Sequence, residues 1–125
     1  MKKIIQPYKI DIFNMEILFC CCPNFQDVKD YVKKTKMDKA WKDEVLNKNG
    51  QFDGIVFSDD DTNRPYLIYV KQRKKDWYLF EVLLHETNHL VYYLAKHAGF
   101  TGEPEFQALL HEQLFRDFRR LLQEK

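Results

Sequence analysis

At 125 residues, with 45% apolar and 15% aromatic side chains, the chain has the size and composition of one packed domain spanning 1–125, not of a disordered segment. A formal charge of +1 and a pI of about 7.7 provide no global field that would draw it to nucleic acid or acidic lipid. No apolar run is long enough to span a bilayer, and the opening Met1-Lys2-Lys3-Ile4-Ile5 breaks at Gln6, Pro7 and Lys9, so a soluble, cytoplasmic protein is expected.

Tyr8 to Cys22 is rich in Ile, Phe, Leu and Cys and stops at Pro23-Asn24, which predicts a strand. It ends on three consecutive cysteines, Cys20, Cys21 and Cys22. Neighbours that point to opposite faces of a strand do not suit one tetrahedral ion, and adjacent thiols in odd number make a poor disulfide framework. They read as small apolar residues of a buried strand. Asp27 to Lys36 carries Val28, Tyr31 and Val32 at helical spacing, and Met37 to Asn49 carries Trp41, Val45 and Leu46. Two short helices are predicted there, closed by the turn at Asn49-Gly50.

Phe52 to Phe57 and Tyr66 to Val70 are β-rich runs on either side of a polar stretch, 58–65, and predict a hairpin. Asp59, Asp61 and Asn63 alternate as at the start of an EF-hand calcium loop. The pattern fails at Arg64, where glycine is required, and at Val70, where glutamate is required, so a polar hairpin tip is the reading. The basic run Lys71 to Lys75 reads as a solvated turn, and Arg116, Arg119 and Arg120 as a solvated face near a helix C-terminus. No nucleic-acid partner is expected from either.

A long helix is predicted from Trp77 to His97, with Asp76 as N-cap and Gly99 as its stop. Its core stripe is Phe80, Leu83, Leu84, Thr87, Leu90, Val91 and Leu94. The last helix opens at Pro104, a favoured first position, and runs to Leu122, burying Phe106, Leu110, Leu114, Phe118 and Leu121. The class these elements define is α+β, a small, mainly antiparallel sheet packed on helices.

Within the long helix, His85-Glu86-Thr87-Asn88-His89 spells H-E-x-x-H. Residues four apart share a helical face, so both imidazoles can hold one zinc ion, while Glu86 on the flank can take a proton from water at the metal's open position. A chain with four histidines acquires such a run by accident roughly once in a few hundred cases, and seldom in register with an apolar stripe. A catalytic zinc takes a third protein ligand. The metzincin spacing would need glycine and histidine where Tyr92 and Ala95 stand, which excludes that class. His97 lies two turns beyond His89, roughly 12 Å along the axis, too far to join the same ion. A carboxylate from the following helix remains: Glu105 first, with Glu103 and Glu112 in reserve.

The run LLHETNHLVYYLAKHAGFTGEPEFQALLHEQLF resembles the small zincin-like metallopeptidases encoded by tailed bacteriophages and prophages, which pair H-E-x-x-H with a nearby E-x-x-A-(Y/L)-L helix. Glu105-Phe106-Gln107-Ala108-Leu109-Leu110 matches the second element, with leucine where an aromatic commonly follows the alanine. The resemblance covers the C-terminal half and the preceding hairpin. It implies a minimal zincin-like, gluzincin-like fold, Zn2+ held by His85, His89 and Glu105, and Glu86 as the general base of peptide-bond hydrolysis. In that setting Tyr66 to Val70 is the candidate edge strand for an extended peptide or protein substrate, with a plain core strand as its equal alternative, and a host cytoplasm is the expected location. Tyr92, Tyr93, His97 and His111 are candidate donors to the transition-state oxyanion. The alternative is a catalytically silent zincin-like protein that binds zinc and serves as a phage assembly or regulatory partner.

Overall fold

Two runs of the chain, Met15–Cys22 and Tyr66–Lys71, show no alternation of apolar and polar residues, and their place in the sheet explains it. A computed structural model describes residues 3–10, 13–57, 65–73 and 76–123. Its elements are β1 (Ile4–Ile10), β2 (Met15–Cys22), α1 (Phe25–Lys33), α2 (Lys39–Leu46), β3 (Gly54–Phe57), β4 (Tyr66–Lys71), α3 (Asp76–Ala98) and α4 (Pro104–Gln123). The strands form one sheet in the order β1-β2-β4-β3, so β2 and β4 are the two interior strands. Successive residues of β2 enter opposite cores: Ile17, Phe19 and Cys21 meet α3 and α4, while Leu18, Cys20 and Cys22 meet α1 and α2. Helices cover both faces, and strands buried on both faces read as continuous apolar runs. The cysteines are free and buried, as small core residues.

The architecture is α+β with a mixed sheet, since β2 and β4 run parallel while β1/β2 and β3/β4 are antiparallel. Two expectations are corrected here. The single strand from Tyr8 is two strands, with Ile4 opposite Cys21 and Ile10 opposite Met15. Its reversal lies between Ile10 and Met15, where Asn14 takes φ 50°, a left-handed conformation that asparagine tolerates. Neither glycine nor proline marks that turn. Secondly, Tyr66–Val70 is not an edge strand, because β2 pairs with one side of β4 and β3 with the other. The edge beside α3 is β3.

The helices start and stop where local chemistry dictates. Asp38 caps α2 by accepting the Trp41 backbone N–H at 3.2 Å. The fully buried Trp41 indole N–H donates to the Pro65 carbonyl at 3.0 Å and ties α2 to the start of β4. Trp41→Phe leaves that carbonyl without its donor and is expected to cost about 1–2 kcal/mol, read from the urea midpoint at unchanged slope. In α3, Leu84 is exposed (46%) while Leu79 and Ala95 are buried. Leu84 sits one residue, about 100°, past Leu83, beyond the arc that the sheet covers. Phe106 of α4 is likewise on the margin at 37%. The hairpin tip 58–64, with its calcium-like pattern, and Lys74-Lys75 lie outside the described residues. No helix among the described residues is long and apolar enough to cross a membrane.

Candidate metal centre

α3 presents three faces. Leu83, Thr87, Leu90 and Leu94 turn to the core, and the Thr87 hydroxyl satisfies itself by donating to the Leu83 carbonyl at 2.7 Å. His85 and His89, four residues apart, emerge together on the opposite, exposed face. Their Nε2 atoms are 3.1 Å apart, with ring centroids at 4.7 Å and planes at 83°. Two imidazole nitrogens bound to one tetrahedral zinc at about 2.05 Å each would stand about 3.3 Å apart, so the pair fits one ion. Without a metal the same approach suits a single N–H donated from one ring to the other.

Glu86 lies on the flank towards β3 and is buried, with 7% of its surface exposed. Among the described residues no hydrogen bond or ion pair meets its carboxylate. Burial raises its pKa above the usual carboxylate range, while the charges of His85 and His89 oppose the shift. β3 is what buries it. A Cβ on Gly54 would stand 2.8 Å from both Glu86 Cγ and Val82 Cγ1, and 3.1 Å from Glu86 Oε2, so only glycine lets the strand lie this close. Gly54 went unread in the sequence. The signal was present, since a lone glycine in a strand pattern marks a close backbone approach.

The register fixes what β3 offers outward. The Lys71 N–H donates to the Asp53 carbonyl at 2.7 Å, making Asp53 and Lys71 a hydrogen-bonded pair. Gly54 and Val70, the next pair, are therefore of the other kind, and the N–H and C=O of Gly54 turn to the open edge. Between that edge and α3 lies a cleft of about 350 Å³ lined by Asp53, Gly54, Tyr78, Glu81, Val82, His85 and Glu86.

The α4 candidates divide. Glu105 is exposed in the first turn of α4, near the loop, as is Glu103 just before it. Among the described residues no group of three His, Cys, Asp or Glu side chains is placed to hold a metal, so neither Glu105 nor any other carboxylate joins the histidine pair in this structure. The return of α4 along α3 explains the position of Glu105: the chain reverses between Ala98 and Pro104, and His89 lies more than two turns back from that reversal. A second groove, between α3 and α4, is lined by Asn88, Val91, Tyr92, Gln107, Ala108, His111 and Glu112. Glu112 and His111 thus stand across from Asn88 and Tyr92, at the level of the pair.

Of the candidate donors, Tyr92 is exposed (58%) and Tyr93 half-buried, each about one turn beyond His89. His97 is engaged elsewhere, its Nδ1 hydrogen-bonded to the Tyr66 hydroxyl at the far end of the helix. Burial pushes the Tyr66 phenol up to about 12, so it is un-ionised at neutral pH. No family model matches the chain, and neither a curated protein nor a solved structure matches it.

Proposed function

We propose that the chain is a zinc-dependent peptide hydrolase of the zincin-like, gluzincin-like kind, with His85 and His89 as ligands and Glu86 as general base. The observation that carries the reading is the convergence of two histidine Nε2 atoms at 3.1 Å beside a buried carboxylate that has no hydrogen-bond partner among the described residues. The Glu86 oxygens face the cleft and not a protein donor, which leaves their lone pairs open for chemistry. Zinc, when bound, acidifies water and polarises a carbonyl. Glu86 would accept the proton from the attacking water and return it to the leaving amine. The open edge of β3 at Gly54 and Val56 would pair with an extended peptide and hold it against His85 and Glu86, the part first assigned to β4. Tyr92, Tyr93 and His111 are the candidate donors that remain near the pair.

For the third ligand the motif points to Glu105 and the helix packing to Glu112. Both sit on a similar face of α4, two turns apart, and the antiparallel return puts Glu112 level with Asn88, between the two histidines along the axis. Our reading is therefore Glu112. Zinc per chain, measured in metal-replete protein, tests both points. About one zinc is expected in the wild type and in Glu105→Ala, and none in His85→Ala or His89→Ala, with weakened retention in Glu112→Ala. A folded wild type that holds no zinc removes the metal reading altogether. Loss in Glu105→Ala with retention in Glu112→Ala returns the ligand to the motif position.

A further inference from the structure

The cleft between β3 and the first half of α3 extends away from the histidine pair, towards Asp53, Tyr78 and Glu81. Asp53 is committed: its Oδ2 accepts the Tyr78 hydroxyl at 3.0 Å, and its Oδ1 pairs with the Arg73 guanidinium. Those partners hold its carboxyl below the usual range, Tyr78 foremost, so it is charged at neutral pH. Arg73 is committed as well, lying over the Tyr78 ring at 4.5 Å from its centroid. Glu81 is exposed and makes no hydrogen bond or ion pair among the described residues. Glu86, more than nine-tenths buried and without such a partner, is aimed into the same space from its far end.

Asp53 is balanced by Arg73, with Lys71 also acting on it, and Glu81 is a carboxylate of this lining that makes no ion pair among the described residues. Val82 and the edge of Tyr78 add apolar surface suited to an aliphatic stem. We propose that this cleft is a side-chain subsite that takes a cationic residue, lysine or arginine, of a peptide paired on the β3 edge. The proposal rests on the peptidase reading for the nature of its occupant. A peptide laid along the open N–H and C=O of Gly54 sends alternate side chains to one side, and the one beside Glu86 enters the cleft. Its ammonium or guanidinium would meet Glu81, which makes no ion pair among the described residues. The apolar stem would lie on Val82.

Metal-free full-length protein, titrated in an amide-correlation NMR experiment, gives the test. Two capped pentapeptides of alanine are used, one with lysine at the centre and one with glutamate. The lysine peptide is expected to bind about fivefold more tightly and to shift resonances in 53–57 and 78–86. In Glu81→Gln, an exposed substitution that leaves the fold alone, the preference should fall to about unity. Equal affinity for the two peptides, no detectable binding, or shifts confined to other faces would overturn the subsite. Because binding is read without metal, a protein that holds no zinc would strike the hydrolase reading while the charge preference is still measured.

Discussion

Glu86→Gln is expected to keep its zinc and to lose turnover by about 10²- to 10⁴-fold, the range that a positioned general base contributes. Glutamine preserves the volume that β3 covers, so the histidines keep their mutual position. The same substitution has a second consequence in metal-free protein. Burial raises the pKa of Glu86 above the ordinary carboxylate value, so the folded state holds this proton more tightly than the unfolded state. Stability from that proton is complete below about pH 4.5 and is lost as pH rises through the folded pKa. Glutamine has no such loss. Apo Glu86→Gln should therefore match the wild type in acid and melt higher at neutral pH. Melting curves at pH 4 and pH 7 check the sign, and any peptide found to be cleaved checks the rate. A fall in turnover below about tenfold would remove Glu86 from the chemistry. It would leave a zinc-binding partner protein as the better account.

The two helices of the C-terminal half were legible because each is long, amphipathic and punctuated. Gly99 does end α3, at φ 81°, and Pro104 does open α4. The H-E-x-x-H run needed only the helix to bring its histidines together, a local property that sequence spacing carries. What escaped was everything decided by distant partners. β2 could be read as apolar, but not as parallel to β4, because the pairing of Cys20 with Tyr69 joins residues far apart in the chain. The edge strand was misplaced for that reason. The turn at Asn14 escaped because its left-handed residue is not glycine. The choice among Glu105, Glu103 and Glu112 stays open in the sequence, because the motif fixes a helix face but not how far along that helix the neighbouring one is met. Glu105 and Glu112 share the face, and only packing separates them.

Gly54 gives the second large effect, and two opposing forces decide its sign. Valine is favoured over glycine in strands by up to about 1 kcal/mol, so Gly54→Val would stabilise an unobstructed β3. Here a Cβ meets Glu86 Cγ and Val82 Cγ1 at 2.8 Å, and two further methyls must find room against the helix. Overpacking of this kind costs typically 1–3 kcal/mol, and a bulky β-branched side chain at two contacts belongs at the upper end. Repulsion therefore wins: a net loss of about 2 kcal/mol is expected in urea, and a smaller one for Gly54→Ala. The strand or the Glu86 side chain must shift, and a displacement of about 1 Å at a catalytic base costs of the order of 100-fold in rate. Zinc content should be largely kept, because the added Cβ meets Glu86 and Val82 and not the exposed imidazoles of His85 and His89. Loss of stability and rate with zinc retained would identify β3 as the element that seats Glu86. A Gly54→Val protein as stable as the wild type would show that β3 does not press on α3, and the origin of the Glu86 burial would have to be sought elsewhere.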